Sequence, residues 1–432
     1  MLERIRNNWL PVIFIICFLF YAGLRIANTT RSLNALVSIS DTRSYLRIAK
    51  GDILDVEFYT DARPPGFPFL LKVARGNEMD AALLQTVISI FSWGILALIL
   101  ARQFSSPGLK SFAFILVLFI SLGYYVLIWD TVVLTESLSL SLMVLIMAGW
   151  LWLLESWHWY KALLLVLISI AWAFTRDTNF WLLSLITGFT ALGGIYGKRR
   201  WLGFAIILLI VFVLASVASE HGRRWVFPFQ NVFTARILPD LGAVEFFSDC
   251  GMPVTENLLA LSGGNASSND RAFYNDAVLD GYRNWQDTSG KLCYLKWLTL
   301  DPSRSLILPI KDFPTLIAFE DITRFFPKTY RPILPSWLDV IIYPQFGITV
   351  TWLCLMLLMI FTAKFPSWRK KPLWIVWAVL TLSLYPHLFL IWHGDTLGLD
   401  RHALGIIIGY FLSFWFFILL TLDWVYERQN EN

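Results

Sequence analysis

Residues 198–218 read Lys-Arg-Arg followed by WLGFAIILLIVFVLASVA, and this stretch decides the fold. A helix needs about 20 mainly apolar residues to cross the hydrocarbon core of a bilayer. No residue of Trp201–Ala218 is charged, while Lys198, Arg199 and Arg200 stand immediately before it. Because Lys and Arg concentrate in cytoplasmic loops, the stretch predicts a transmembrane helix whose N-terminal end lies at the cytoplasmic surface.

Nine more stretches have the apolar composition of a transmembrane helix. In chain order they are Trp9–Ala27, Ala82–Ala101, Ser111–Ile128, Leu134–Leu154, Trp159–Phe174, Phe180–Tyr196, Ile341–Ala363, Leu373–Trp392 and His402–Leu422. The chain is 57% hydrophobic and 15% charged, whereas soluble domains average about a quarter charged residues. We therefore expect an all-α polytopic membrane protein with about ten transmembrane helices. No basic stretch interleaved with aromatic residues suggests nucleic acid as a partner.

The basic residues of the short loops predict the orientation in the membrane. If the N-terminus is inside, the cytoplasmic segments contain Arg4, Arg6, Arg102, Lys110, Lys161, Lys198, Arg199, Arg200, Lys364, Arg369, Lys370, Lys371 and Arg428. The short loops on the other side contain only Arg176 and Arg401. The prediction is an integral protein of the plasma (inner) membrane with both termini in the cytoplasm.

Two long segments then fall outside, residues 28–81 and 219–340. They divide the chain into an N-terminal transmembrane module (residues 1–218, including the outer loop 28–81), an extracytoplasmic loop domain (219–340) and C-terminal transmembrane helices (341–432). Within the second segment, Tyr294–Leu300 and Leu306–Ile310 are apolar but too short to span, and they predict interfacial or re-entrant helices.

The four cysteines divide between the membrane and the second outer segment. Cys17 and Cys354 fall in predicted spans, where they are expected to be inert packing residues. Cys250 and Cys293 both lie in segment 219–340, and an oxidising compartment would permit a disulfide between them. The favoured prediction is that bridge, and the alternative is two free buried thiols.

The first outer segment contains Ile39-Ser40-Asp41-Thr42-Arg43-Ser44-Tyr45-Leu46-Arg47-Ile48-Ala49. Ser40 or Asp41 could cap a helix, and Tyr45, Ile48 and Ala49 would then share one helical face. One interpretation of Asp41 is therefore a helix cap on an amphipathic surface helix, and the other is a functional carboxylate.

A second motif in the same segment is Asp61-Ala62-Arg63-Pro64-Pro65-Gly66-Phe67-Pro68. Three prolines and a glycine in five positions predict a rigid, non-helical path. Such stiffness is unnecessary in a passive connector, but it suits a loop that must hold Arg63 still against a ligand.

These motifs resemble those of the GT-C superfamily of integral membrane glycosyltransferases, which includes protein O-mannosyltransferases and aminoarabinose transferases. The residues that carry the resemblance are Asp41 with Tyr45 four positions later, Arg63-Pro64-Pro65-Gly66-Phe67-Pro68, Thr135-Glu136-Ser137, Arg176 and Asp400-Arg401-His402. The resemblance implies transfer of a hexose or pentose from a polyprenyl-phosphate donor, with inversion, on the extracytoplasmic face. Where several relatives have an acidic pair, this chain has Asp41-Thr42.

The resemblance also implies roles for particular residues. Asp41 would be the catalytic base, which takes the proton of the acceptor. Arg63, Arg176 and Arg401 would bind the donor phosphate, since guanidinium groups match phosphate oxygens. The residues expected to bind substrate are Tyr45, Glu136, His393 and His402.

Each of these assignments has a simpler alternative. Arg176 could be an interfacial anchor or pair with Asp177, and Arg401 could pair with Asp400 or Asp395. Glu136 could stabilise the positive N-terminal end of its helix, although an ionisable group near hydrocarbon is costly unless it has a function.

Metal dependence and the function class stay open at this point. The sequence does not call for a particular cofactor, although a divalent cation could be held by Asp41, Asp130 and Glu136. His387, His393 and His402 could bind zinc, but packing and hydrogen bonding are commoner roles. A transporter or lipid-linked-sugar flippase is the alternative function, and an oligosaccharide ligase or polymerase ranks third. The expected partners are the lipid-linked sugar and membrane lipid.

Overall fold

The computed structural model describes residues 2–266, 273, 276–318 and 325–431. Parts of the predicted outer domain 219–340, namely residues 267–272, 274–275 and 319–324, lie outside the described residues. The described part of the chain is helical and contains no strand, apart from an isolated parallel bridge between Val37 and Val132. The prediction of an all-α fold is confirmed.

The α-helices are numbered here in chain order. They are α1 Leu2–Ser32, α2 Ser40–Ala49, α3 Val56–Thr60, α4 Gly66–Val73, α5 Glu78–Ala101, α6 Pro107–Leu122, α7 Tyr124–Leu127, α8 Thr135–Glu155, α9 Trp159–Ala173, α10 Asp177–Ile195, α11 Arg200–His221, α12 Val226–Val232, α13 Leu241–Asp249, α14 Glu256–Leu259, α15 Asp280–Trp285, α16 Lys291–Leu300, α17 Pro302–Ala318, α18 Ser336–Ile342, α19 Ile348–Thr362, α20 Pro366–Arg369, α21 Pro372–Gly394, α22 Leu399–His402 and α23 Leu404–Glu431.

Local sequence accounts for where the long helices begin. Asn77 caps α5, since its side-chain oxygen accepts hydrogen bonds from the amides of Met79 (2.9 Å) and Asp80 (3.3 Å). Helices α6 and α21 each begin with a proline, Pro107 and Pro372, whose fixed φ suits the first turn and whose missing amide would have had no partner there.

Seven helices of the described chain are long and apolar enough to cross a membrane. They are Trp9–Ala35, Glu78–Ala101, Thr135–Glu155, Asp177–Ile195, Arg200–His221, Pro372–Gly394 and Leu404–Asn430. The chain is therefore a membrane-embedded helical protein. The ten predicted segments are all largely helical, but Trp159–Ala173 and Ile348–Thr362 are shorter than a typical span, and a third segment is bent.

The bend divides the predicted span Ser111–Ile128 into α6 and α7, which meet at an angle of 57°. Gly123 sits at the break in extended conformation (φ −72°, ψ 158°), and a Cβ there would lie 2.2 Å from the ring of Tyr343. The predicted span Ile341–Ala363 is likewise interrupted, because Pro344 and Gly347 (φ +54°) separate α18 from α19. At Gly123 the missing side chain makes room for the Tyr343 ring, whereas at Gly347 the positive φ itself favours glycine.

A fully buried ion pair lies within this bundle. Arg25 of α1 donates to Asp130 at 2.5 Å, and neither side chain is exposed to solvent. Tyr21 accepts from Arg25 at 2.9 Å, and Ser137 donates to Asp130 at 2.9 Å. A buried pair is tolerated only when its remaining hydrogen-bonding capacity is satisfied, and here it ties α1 to the start of α8. The sequence offered Asp130 as one possible cation ligand, and in the structure its carboxylate pairs with Arg25.

The segment after α11 has a core of its own, which we call the outer unit (residues 225–297). Aromatic side chains fill it, including Phe233, Phe247 and Trp285, and Cys250 is disulfide-bonded to Cys293. Helix α16, which contains the predicted short helix Tyr294–Leu300, is the last helix of this core and contributes Cys293, Tyr294 and Trp297 to it.

Helix α17 leaves the outer unit and joins the main bundle. Phe313 packs against the rings of Trp352 and Tyr410, and Leu316 and Ile317 are buried in the same core. Although α17 falls inside the predicted loop domain 219–340, its apolar face is covered by α19, α21 and α23. The packing therefore divides the predicted loop domain between two cores.

Candidate functional site

Five charged side chains from distant parts of the sequence meet at one end of the bundle. They are Asp41 in the first turn of α2, Arg63 in the loop before α4, Glu136 in the first turn of α8, Arg176 just before α10 and Arg401 in α22. We call this group the charged cluster. Glu136, Arg176 and Arg401 stand at or next to the ends of long apolar helices, so those helix ends lie on the same face of the molecule.

Asp41 reaches the cluster because it does not cap its helix. The backbone amide of Ile39 donates to Oγ1 of Thr42 (3.1 Å), and that hydroxyl donates to the carbonyl of Val133 (3.0 Å). The expected cap at Ser40 or Asp41 was therefore wrong, since Ile39 occupies that position and Thr42 binds its amide. The Asp41 carboxylate accepts instead from Arg63 (2.6 Å) and Arg401 (2.8 Å).

The ring of Tyr45 packs against the guanidinium group of Arg63. The Arg63 guanidinium lies 5.6 Å from the centre of the Tyr45 ring, a cation–π distance, and its Nε donates to Ser44 at 3.2 Å. Tyr45 packs edge-on against Phe67, and burial raises its pKa. Tyr45, Ile48 and Ala49, which were predicted to share one helical face, are all buried.

The loop that contains Arg63 is anchored to the turn that contains Arg176. The amide of Gly66 donates to the carbonyl of Phe174 at 2.8 Å, and a Cβ on Gly66 would lie 2.8 Å from Oγ1 of Thr175. Only glycine permits this approach. The motif was expected to be non-helical throughout, but α4 begins at Gly66, because Pro68 in the first turn leaves no bonded amide to lose.

Arg224 holds the other side of the same loop, and sequence reasoning missed it. Its buried guanidinium donates to the carbonyls of Asp61 (2.8 Å) and Tyr59 (2.7 Å) and pairs with Asp177 at 3.3 Å. In the sequence, nothing distinguished Arg224 from its neighbour Arg223, whose pair with Asp287 is exposed.

Glu136 lies between two arginines and is almost completely buried, with 1% of its side chain exposed. One of its oxygens is 3.4 Å from Nη1 of Arg176. The same oxygen is 3.1 Å from Nε of Arg401, an ion-pair distance that lacks hydrogen-bond geometry. The other nitrogen of Arg176 contacts Nδ1 of His402 at 2.6 Å.

These contacts decide between the alternatives left by the sequence. Arg176 pairs with Glu136, while Asp177 pairs with Arg224. Arg401 reaches Asp41 and Glu136, which are far from it in sequence. The roles of these arginines in binding a phosphate stay predictions.

The electrostatics of the cluster favour an anionic ligand. Burial tends to raise the pKa of Asp41, but the Arg63 and Arg401 guanidinium groups outweigh it and hold that pKa below its usual value. Burial, together with Arg176 and Arg401, holds the pKa of His402 well below its usual value, so the ring is neutral at pH 7. Three guanidinium groups against two carboxylates leave the cluster with one net positive charge.

A small cavity leads inward from the cluster. Glu136 and Arg176 of the cluster line it together with His402, and Ser139, Trp172, Asn179 and His387 are among its other lining residues. Its volume of about 20 Å³ would hold roughly one water molecule or one hydroxyl group. A whole sugar would need the surrounding side chains to move.

Two further predictions for the site concern His393 and a metal ion. The contacts of His393 lie away from the cluster, because its Nε2 bonds the carbonyl of Ser305 at 2.8 Å and its ring packs on Phe389 and Trp392. In the described part of the chain, no group of three or more His, Cys, Asp or Glu side chains is arranged to hold a metal ion. A divalent cation therefore stays an untested prediction.

The comparisons with known proteins add no relative, since no protein-family model and no curated protein matches this chain.

Proposed function

We propose that this protein is a membrane glycosyltransferase of the GT-C type, which moves a hexose or pentose from a polyprenyl-phosphate donor to an acceptor. The observation that carries the proposal is the charged cluster. It brings a carboxylate and three arginines together at the ends of apolar helices, where a lipid-linked phosphate could reach them from the membrane.

The arginines fit the leaving group of this reaction. When the bond between the sugar and the phosphate breaks, its electron pair stays on the phosphate oxygen, where negative charge accumulates. Guanidinium groups that are already in place stabilise that charge without reorganisation during the reaction. Arg63 and Arg401 are the best candidates, because both are partly exposed and both bind Asp41, which a phosphate could replace.

Asp41 fits the role of the base. A hydroxyl oxygen of the acceptor would attack the anomeric carbon from the face opposite the phosphate, and its proton would pass to the Asp41 carboxylate. Both oxygens of Asp41 are occupied by guanidinium groups without ligand. We infer that the donor phosphate competes for Arg63 and Arg401 and thereby frees the carboxylate to accept a proton.

The orientation is part of the proposal. The bias of Lys and Arg in the short loops supports a position of the cluster on the extracytoplasmic face of the plasma (inner) membrane. A disulfide in the outer unit is consistent with an oxidising compartment on that side.

A transporter or flippase for the same lipid is the alternative class. Transporters usually bind their substrate near the middle of the membrane, between repeated halves. The charged cluster lies at helix ends, and the deeper ion pair of Arg25 and Asp130 is closed to solvent. Both observations favour the enzyme.

Deletion of the gene combined with lipid analysis tests the proposal. We expect a polyprenyl-phosphate sugar to accumulate, and the purified protein to consume that lipid when an extract containing acceptors is added. Arg63→Ala should weaken the use of donor at low concentration, whereas Arg223→Ala, which removes an exposed arginine, should not. If the protein moves the lipid across vesicles without consuming it, the flippase is correct and the transferase is wrong.

A further inference from the structure

Another cavity of the structure lies between α19 and α21, at the end of the bundle away from the charged cluster. Its volume is about 410 Å³, within the range of about 300–1,000 Å³ that is usual for ligand pockets. Its lining is hydrophobic, and we call it the apolar groove. Helix α21 runs from Trp374, which lines this groove, to Trp392, which contacts Arg236 of the outer unit, a length of roughly 27 Å at the helical rise per residue.

The apolar groove ends at the loop that joins α19 to α21. Ala363 and Trp374 line that end, and the Trp374 indole donates to Oγ1 of Thr362 at 3.0 Å, which ties the two sides together. Leu382 lines the groove about two turns further along α21, a depth of roughly 12 Å. Ile360 also lines the groove and is 58% exposed, so the groove opens to the surroundings of the bundle.

The joining loop, residues 364–371, places positive charge beside the groove. Its basic residues are Lys364, Arg369, Lys370 and Lys371, and it contains no acidic residue. Lys371 pairs with Asp423 (2.5 Å) and Glu427 (2.8 Å) of α23. The other three are exposed and form no ion pair with any residue that the structure describes. Four basic side chains against two carboxylates leave two net positive charges.

We propose that this end of the protein binds an anionic phospholipid, with its phosphate on Lys364, Arg369 and Lys370 and one acyl chain in the apolar groove. Helix α21 is long and apolar enough to cross the membrane, so the groove lies in hydrocarbon just below the membrane surface. An empty groove there would forfeit dispersion contacts along its lining, so a lipid chain fills it. The headgroup of that lipid then lies beside the loop, and basic pockets between transmembrane helices recognise anionic headgroups.

A basic loop alone would not define such a site, because Lys and Arg concentrate in the loops on one side of a membrane. Residues 198–200, Lys-Arg-Arg at the start of α11, are also basic and exposed. They are not next to any residue that lines the apolar groove. The groove therefore distinguishes segment 364–371 from segment 198–200, and this difference provides the control.

Native mass spectrometry of the full-length protein in detergent, with phosphatidylglycerol and phosphatidylcholine added in equal amounts, tests the headgroup. We expect the unmodified protein to retain one phosphatidylglycerol in preference to phosphatidylcholine. The triple variant Lys364→Gln, Arg369→Gln, Lys370→Gln should lose about fivefold in affinity for phosphatidylglycerol for each basic side chain removed. Glutamine at all three positions of segment 198–200 should leave the preference unchanged. Raised salt, which screens these charges in the unmodified protein, should reproduce the effect of the triple variant and replaces it if that variant does not fold.

A second pair of variants tests the acyl chain. Val379 lines the groove and is half-buried, so Val379→Trp fills the groove and leaves every charge in place. It should reduce the retention of phosphatidylglycerol to that of the triple variant. Val213→Trp makes the same change at an exposed apolar position of α11 and should retain the lipid normally.

Four results would overturn the proposal. Equal retention of the two lipids by the unmodified protein would show that the loop does not select the headgroup. Equal losses in the two glutamine variants would show an effect of general surface charge. Normal retention by Val379→Trp, or displacement of the lipid by glycerol 1-phosphate, would show that no chain lies in the groove. A dimer that Val379→Trp dissociates would identify a second copy of the chain as the occupant. None of these results involves the charged cluster, so the proposed function is tested separately.

Discussion

At the scale of single residues, the central question is the state of Asp41. Its two guanidinium partners lower its pKa, so the carboxylate is ionised at pH 7 but occupied. If Asp41 is the base, as we propose, it is inactive until a competing anion binds the arginines. The same contacts would thus suppress unproductive proton transfer in the absence of donor.

Asp41→Asn separates the proposed role of this residue as a base from its role as the partner of Arg63 and Arg401. The amide has nearly the same shape but no negative charge, so the net charge of the cluster rises and donor should bind as tightly as before or more tightly. Transfer should fall by roughly 10²–10⁴-fold, the usual contribution of a general base. Single-turnover transfer and donor binding, measured on the same preparation, give both quantities.

The control for this substitution is Asp55→Asn, at an exposed position in the same outer segment. It should change neither quantity. Transfer at the normal rate by Asp41→Asn would rule out Asp41 as the base.

The lowered pKa of His402 predicts how the stability of the folded protein depends on pH. Burial and the neighbouring arginines lower its pKa in the folded protein, so the unfolded chain binds a proton more readily than the folded one. The neutral His402 side chain therefore makes its full contribution to the free energy of unfolding above about pH 6.5, and this contribution is lost as the pH falls below that value. Thermal unfolding in detergent, followed from about pH 7.5 to about pH 5, measures this loss.

The comparison is with His402→Gln, which should lose less stability than the unmodified protein over the same range. His158→Gln removes an exposed histidine and should leave the pH profile unchanged. Parallel profiles for all three proteins would contradict the neutral state of His402.

At the scale of secondary structure elements, the site depends on how one loop is held. The segment that contains Arg63 is fixed by Gly66 against the end of α9 and by Arg224 against the end of α11. Gly222 permits the second contact, since a Cβ there would lie 2.5 Å from the carbonyl of Asp61. Pre-organisation of this kind places a charged group without loss of entropy on binding.

Arg224→Ala should loosen this loop. It removes the donor that binds the carbonyl groups of Asp61 and Tyr59 and the ion pair with Asp177, and we expect a loss of roughly 1–3 kcal/mol in the free energy of unfolding. Because Arg63 is then less well positioned, donor affinity should also fall. Unfolding in denaturant and donor binding measure the two effects.

Arg223→Ala provides the comparison at the adjacent position. Its pair with Asp287 is exposed and contributes at most about 1 kcal/mol. Equal effects of the two substitutions would show that the loop does not depend on Arg224.

At the scale of the whole molecule, the outer unit is packed against the side of the bundle where the site lies. Asn231 donates to Asp395 at 2.8 Å, and Asp395 lies 3.8 Å from Nε2 of His402. Arg236 stacks on the ring of Trp392 with 3.6 Å to its centre. The outer unit is therefore connected to the charged cluster by a chain of contacts. Asp395, which binds Asn231, lies beside His402, and His402 contacts Arg176.

The disulfide should matter most for the outer unit. It closes a loop of 43 residues, which corresponds to roughly 4 kcal/mol of unfolded-state entropy. The double variant Cys250→Ser, Cys293→Ser should be cleaved faster by protease in residues 219–340, while the transmembrane helices stay intact. Mass spectrometry of the fragments locates the cleavage.

Cys17→Ser with Cys354→Ser is the control, because neither cysteine is in a disulfide. It should digest like the unmodified protein, with or without reductant. If the first double variant is equally resistant, the bridge contributes nothing to the stability of the outer unit.

The sequence by itself determined that the chain is helical and embedded in a membrane, because the length and apolarity of a segment such as Trp201–Ala218 are local properties. It also located the charged residues of the site at helix ends. It could not show their ion-pair partners. The alternatives it suggested were Asp177 for Arg176, and Asp400 or Asp395 for Arg401. Only the tertiary structure showed that Arg176 pairs with Glu136 and that Arg401 pairs with Asp41. The reason is physical, since an ion pair depends on which helix ends pack together, and helix packing is decided by contacts along whole helices rather than by neighbours in sequence.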